Sequence, residues 1–279
     1  MIYRRIALDP QDERVYMDAY VPDAPREAKP AMLVIPGGGY ANLAEDREGE
    51  PIALAFVARG VCAFVLHYRV GGAEDVYPTQ LLDASRAMVY IRACAEELSV
   101  DPARVYAVGF SAGGHLAGCL ATMHDLPEIA DELELYREEN RPTAVILAYP
   151  VVSAMLPTHQ ASFVNLLGMP YEEMSVEARR YVSFETQVGP RTSPMFLWHT
   201  AEDTVVPPYG TLRLCETLLE QRIPVMMHLY PNGPHGMALA NGVTRFGNPA
   251  YVDPLCERWI DDALAWFDRL YQKETSENE

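Results

Sequence analysis

Residues 104–117 read Arg104-Val105-Tyr106-Ala107-Val108-Gly109-Phe110-Ser111-Ala112-Gly113-Gly114-His115-Leu116-Ala117. Residues 105–108 form an apolar run of the length of a short buried strand. Gly109-Phe110-Ser111-Ala112-Gly113 fits G-x-S-x-G, and a small-residue helix is expected to follow. Strand, tight turn and helix in that order are what a nucleophile elbow requires. The turn is so sharp that a serine at its apex takes strained backbone geometry. Glycines two residues before and after it leave room for the neighbouring chain. The hydroxyl then stands above the sheet, at the positive end of a helix, where an oxyanion can be held. G-x-S-x-G alone arises by chance; between an apolar strand and a helix it is a strong signal.

Outward from the elbow, strands alternate with helices. Two antiparallel strands open the chain near 2–8 and 15–21, and Pro22-Asp23-Ala24-Pro25 turns it. A strand at 31–35 ends in Pro36-Gly37-Gly38-Gly39-Tyr40; a helix at 47–59 is capped by Gly60. A strand at 61–66 and a long amphipathic helix at 77–98 come next, and Asp101-Pro102 turns the chain into the elbow strand. Beyond the elbow helix, an acidic, helix-prone excursion spans 125–140. Strands follow at 143–149, 195–199 and 225–230, with helices at 209–222 and 253–271 and a polar, frayed tail at 272–279. This alternation predicts an α/β protein with a mostly parallel sheet covered on both faces. No linker interrupts it, so one domain is expected over 1–279. Residues 152–194, after the sixth strand, carry no clear strand, and loops that long are usually functional. They are expected to form a lid-like or substrate-shaping insertion.

The 279 residues are 49% hydrophobic and 22% charged, ample for a sizeable core. A net charge of −17 disfavours nucleic acid and anionic membrane as partners. Five dispersed cysteines without a C-x-x-C pair suit a reducing compartment and read as packing residues. The first ten residues lack the apolar core of a signal peptide, and no apolar run approaches a membrane span. A cytoplasmic protein is expected.

A serine nucleophile needs a base, and the base an orienting acid. Of seven histidines, His235 lies in Pro231-Asn232-Gly233-Pro234-His235-Gly236, a rigid loop between the last strand and the last helix. It is the candidate base, with His199 at a strand end as runner-up. His67 and His228 read as sheet residues, His115 as part of the elbow helix, and His124 and His159 as residues of excursions. Asp203, in the loop after the 195–199 strand, is the candidate acid; its neighbour Glu202 is the competitor. Oxyanion donors are expected from the backbone of Ala112, after the serine, and of Gly38 and Gly39 in the glycine loop. No Gly-Lys-Ser/Thr follows those glycines, so a phosphate cradle is excluded. Tyr40 beside them is a candidate lining for an acyl pocket. Asp83 and Arg86, one helical turn apart, read as an intrahelical pair. No metal-ligand spacing occurs.

Pro-Gly-Gly-Gly-Tyr, Leu66-His67-Tyr68-Arg69-Val70, Gly-Phe-Ser-Ala-Gly-Gly-His-Leu-Ala, Glu202-Asp203-Thr204-Val205-Val206-Pro207 and Pro234-His235-Gly236 occur in that order. In this the chain resembles α/β-hydrolase esterases and lipases, a group that includes bacterial acetyl esterases acting on acetylated xylan. The resemblance spans roughly residues 31–236. It implies an α/β-hydrolase fold, Ser111 as nucleophile, His235 as base, Asp203 as its partner, and no cofactor. The implied activity is hydrolysis of short acyl esters, on a small-molecule ester or an acylated oligosaccharide. Exopeptidase or arylformamidase chemistry uses the same triad and stays open, as does a non-catalytic binding protein on the same fold. An insertion of this size leaves a homo-oligomer open as well. Two departures stand out. Pro36 replaces the His that often begins the oxyanion loop, and His67 replaces the Asn of a common Asn-Tyr-Arg. The first removes a side chain that would brace the loop.

Overall fold

The computed structural model describes residues 1–23, 27–71, 75–135 and 138–278. The strands are β1 (Ile2–Ala7), β2 (Tyr16–Val21), β3 (Lys29–Ile35), β4 (Cys62–His67), β5 (Val100–Phe110), β6 (Val145–Ala148), β7 (Met195–Thr200) and β8 (Val225–Tyr230). All eight join one sheet in the order β1-β2-β4-β3-β5-β6-β7-β8. β1 pairs antiparallel with β2, and β2 with β4; every later pair is parallel. After β3 the chain adds β4 on one side, then crosses to lay β5 on the other. That reversal leaves a crevice between β3 and β5 at their C-terminal ends, where open α/β sheets place their ligands.

The helices are α1 (Glu45–Glu48), α2 (Glu50–Val57), α3 (Thr79–Ala93), α4 (Ala95–Leu98), α5 (Ala112–Thr122), α6 (Pro127–Glu132), α7 (Gln160–Leu167), α8 (Val176–Tyr181), α9 (Tyr209–Glu220) and α10 (Trp259–Asn278). Alternate strand residues face opposite layers, and in the inner strands both layers are buried, so β4, β6 and β7 read as continuous apolar runs. Leu33, Phe64, Ala107 and Leu147 pack toward α3, α5 and α9. Val34, Val65, Val108 and Trp198 pack toward α2 and α10, where Phe56, Trp259 and Phe267 are fully buried. Each such large side chain contributes about 1.5–3 kcal/mol through burial.

Several expected elements come out with different bounds. The 47–59 helix starts at Glu45 and breaks at Gly49, which takes φ −105°, ψ −105° just before Pro51. The 77–98 helix breaks at Cys94. The elbow strand is longer than 105–108, because Asp101-Pro102 forms a bulge within β5 rather than a turn before it. Lys29 pairs with Val100 and Ala31 with Val105, and the Asp101 side chain accepts the Ala103 N–H. The backbone of α10 runs on to Asn278 through the expected frayed tail. Ala24 and Pro25 of the expected turn, and Tyr136 and Arg137 of the acidic excursion, lie outside the described residues.

The 152–194 insertion holds α7, α8 and two short 3-10 turns. It is built into the packing of one sheet face. Phe163, Leu166, Val182 and Phe184 are fully buried, and the Phe184 ring lies against Gly118 of α5, where a methyl would collide with it. Asp83 keeps the expected pairing with Arg86, one helical turn on, at 3.6 Å, but has a stronger partner. It is fully buried and takes a bidentate bond from Arg69 at 2.5 and 3.0 Å, while Arg86 turns mainly to Asp9 at 2.8 Å. Cys62, Cys119 and Cys256 are buried. Among the described residues no helix is long and apolar enough to cross a membrane.

Candidate active site

Ser111 joins β5 to α5 at φ 54°, ψ −117°, a backbone region that a residue with a Cβ occupies only under strain. Packing explains the glycines on either side. A methyl at Gly109 would collide with the Gly113 carbonyl, and one at Gly113 with the carbonyls of Ile35 and Pro36. The end of β6 pins the turn: Ser111 N–H donates to Ala148 O, and Val151 N–H donates to Ser111 O, both at 3.0 Å.

The loop after β8 carries His235 to this serine. His235 Nε2 lies 2.8 Å from Ser111 Oγ, and Nδ1 lies 2.6 Å from Asp203 Oδ2. Asp203 is buried in the loop after β7, where its Oδ1 accepts the N–H groups of Val205 and Val206. Burial alone would raise its carboxyl pKa. Hydrogen bonds from His199 and His235, the charge of His235 and the Val206 amide outweigh burial and hold it well below the usual carboxylate range. An ionised carboxylate only accepts, so the His235 proton sits on Nδ1. Nε2 then presents a lone pair to the Ser111 hydroxyl. Behind the imidazole, the Tyr149 ring packs edge-on at 5.0 Å between centroids.

The glycine loop closes the other side. Gly38, Gly39 and Tyr40 take φ 125°, 65° and 59° in succession, a run of left-handed backbone that glycine adopts without strain. Among the described residues, the Gly38 and Gly39 N–H groups have no acceptor within the chain. Ala112 is the first residue of α5, so its N–H has no partner inside the helix. These three N–H groups are uncommitted, and the loop that carries two of them packs on the elbow: a Cβ on Gly37 would lie 3.0 Å from Ser111 Cβ.

The sequence model of the BD-FAE family matches residues 17–218. The chain belongs to the BD-FAE family. Over 213 residues it is 39% identical to endo-1,4-beta-xylanase B of Butyrivibrio fibrisolvens, covering 75% of this chain and 33% of that protein. An acetylxylan esterase of Xylanibacter ruminicola is 27% identical over 230 residues, which is 81% of this chain and 44% of the relative. The chain therefore spans less than half the length of these curated relatives. The solved structure of the carboxylesterase Cest-2923 from Lactobacillus plantarum is similar over 97% of this chain and 98% of its own, with a TM-score of 0.84 at 29% identity. The BD-FAE chain has the α/β-hydrolase fold.

In this BD-FAE chain the rival candidates take supporting positions. His199, the runner-up base, is fully buried behind Asp203. Its Nε2 faces Asp203 Oδ2 at 3.2 Å and Val206 O at 2.9 Å, while Nδ1 meets Thr211 Oγ1. Glu202, the rival acid, accepts the Gly233 N–H at 3.2 Å and so tethers the His235 loop. Tyr40 does not line a pocket. It is 1% exposed and points inward, because its hydroxyl bonds His115 Nδ1 at 2.7 Å inside the core. His115 Nε2 donates in turn to Val182 O, tying the glycine loop to the insertion.

Two residues that brace the BD-FAE glycine loop escaped sequence reading. Tyr68 donates from its hydroxyl to Pro36 O at 2.8 Å. Glu48, 1% exposed, accepts the Gly37 N–H on Oε2 at 2.9 Å and the Tyr149 hydroxyl on Oε1 at 2.9 Å. Burial raises the Glu48 pKa, and the Arg47 charge, the Gly37 amide and His235 oppose that rise without overcoming it. Together Glu48 and Tyr68 supply the bracing that Pro36, in place of His, cannot. An acidic residue in the first turn of a helix ordinarily reads as solvated, so nothing in the pattern marked Glu48 as buried.

Proposed function

We propose that this chain is a serine esterase that cleaves short acyl esters, with O-acetyl groups on carbohydrates as its substrates. The observation that carries the proposal is the continuous chain of hydrogen bonds Asp203–His235–Ser111, at 2.6 and 2.8 Å, beside a glycine loop whose Gly38 and Gly39 N–H groups have no acceptor among the described residues. His235 Nε2 takes the proton as Ser111 Oγ attacks the acyl carbon. The oxygen that becomes negative is held by the N–H groups of Gly38, Gly39 and Ala112. Collapse breaks the ester C–O bond, and His235 returns the proton to the departing alcohol. Water then repeats the attack on the acyl-enzyme, with His235 again as base.

Support for a carbohydrate ester comes from the acetylxylan esterase relative and from the polar surroundings of the glycine loop. Asn165 donates to Gly39 O at 2.9 Å, and His159 and Ser162 lie beside Gly39. Such a lining suits a hydroxyl-bearing alcohol better than an aliphatic one.

Initial rates on p-nitrophenyl acetate, butyrate and octanoate test the proposal, with Ser111→Ala alongside. The expected result is a rate that falls steeply with acyl length and drops by roughly 10⁴-fold or more in the variant. Acetylated xylo-oligosaccharides should then release acetate with the same dependence on Ser111. Undiminished hydrolysis by Ser111→Ala would overturn the proposal. Ser111-dependent activity confined to acyl-peptides or formamides would move it to amide chemistry.

A further inference from the structure

We infer that His159 is a substrate-contacting residue, whose Nε2–H donates a hydrogen bond to an oxygen of the alcohol half of a polyol ester held at Ser111. This rests on the esterase proposal and deepens it by naming what reads the alcohol.

Position comes first. His159 immediately precedes α7, in the insertion that sequence reading treated as an excursion. A Cβ built on Gly39 would have His159 Cε1 and Ser162 Oγ as its nearest neighbours, each at 3.7 Å. The imidazole edge therefore faces Gly39, whose amide is a proposed oxyanion donor, with no side chain between them. Burial lowers its pKa, as would His235 once protonated, while Asp203 pulls the other way. That electrostatic reach to both partners of Ser111 fits a ring at the rim of the same site.

The hydrogen bonding fixes what the ring offers. His159 Nδ1 lies 2.9 Å from Ser162 Oγ. Ser162 is fully buried, and its hydroxyl has no other partner among the described residues. A buried hydroxyl places its proton on the acceptor it has, so Nδ1 accepts and the His159 proton resides on Nε2. That Nε2 has no partner among the described residues. It is not one of the buried unsatisfied atoms, and the residue is half-buried, so Nε2 opens to solvent. A neutral imidazole held in one tautomer, with a free donor beside the oxyanion loop, is a preorganised contact for a sugar hydroxyl or ether oxygen. No proton leaves His159 in the reaction. The proton taken from Ser111 travels through His235 to the departing alcohol oxygen.

The test compares kcat/KM on acetylated xylo-oligosaccharides and on p-nitrophenyl acetate, whose alcohol half has no hydroxyls. Three proteins are compared: unaltered, His159→Phe and Ser162→Ala. His159→Phe keeps a ring and removes the donor. Ser162→Ala keeps the ring and releases the tautomer. A loss on the oligosaccharide that exceeds the loss on p-nitrophenyl acetate by roughly ten- to a hundredfold is expected for His159→Phe, with a smaller excess for Ser162→Ala. Equal losses on the two esters, or none on the oligosaccharide, would overturn the inference while leaving the esterase proposal standing. Absence of Ser111-dependent hydrolysis in the unaltered protein would overturn both. If His159→Phe does not fold, the Ser162→Ala ratio decides.

Discussion

Ser111→Gly should be more stable than Ser111→Ala, although both lack the hydroxyl and its bond to His235. At φ 54°, ψ −117° a residue with a Cβ carries strain of about 1–3 kcal/mol. Alanine keeps that Cβ and glycine removes it. Glycine gives back about 0.5–1 kcal/mol through its greater freedom in the unfolded chain. Loss of one buried carbon takes up to about 0.8 kcal/mol more. Mid-range values leave about 0.5–1 kcal/mol in favour of glycine. With a urea m-value of about 2–3 kcal/mol/M, the midpoints should differ by about 0.2–0.5 M. Equilibrium urea unfolding of the two purified variants, followed by tryptophan fluorescence, measures the difference directly. Equal midpoints, or a more stable alanine variant, would refute the claim that the elbow stores strain at Ser111.

Asp203→Asn should lower kcat by about 10⁴-fold, because an amide facing Nδ1 favours the wrong His235 tautomer. Glu202→Gln, whose carbonyl can still accept the Gly233 N–H, should stay within severalfold in the same steady-state assay. Glu48→Ala leaves the Gly37 N–H and the Tyr149 hydroxyl without their acceptor, at about 1–3 kcal/mol each. A lower Tm and a kcat reduced about tenfold or more are expected, and unchanged values of both would show that the brace is dispensable. His115 is fully buried, and desolvation pushes its pKa down from 6.5 to about 4. The unfolded chain therefore binds the proton more readily. Stability from this residue is complete above 6.5 and falls as the pH drops toward 4, by about 3 kcal/mol in all. Urea midpoints taken across that window should lose this component in His115→Gln; an identical pH slope in the variant would count against it.

Local chemistry accounts for what could be read along the chain. G-x-S-x-G between an apolar run and small residues specifies a turn that only glycines at 109 and 113 permit, because a Cβ at either position would collide with backbone carbonyls. Apolar runs such as Cys62–His67 and Met195–Thr200 marked strands because both sheet faces are covered there. Ser111, Asp203 and His235 stood out because each follows a strand, and the loops after β5, β7 and β8 leave the same edge of the parallel sheet and bring the three side chains together. The interruptions at Gly49 and Cys94 were hidden, since periodicity continues across a break in the backbone.

The sequence by itself determined the order of elements, the strained serine turn and the loops that carry the Ser111, Asp203 and His235 side chains. Each of these follows from residues within a few positions of one another. Only the tertiary structure decided that Glu48 is buried under Gly37, that Tyr40 turns inward to His115, that His199 stands behind Asp203, and that His159 sits beside the glycine loop. These contacts join segments from four to more than a hundred residues apart. A side chain's burial and hydrogen-bond partner there depend on the neighbours folding brings, which no local pattern encodes.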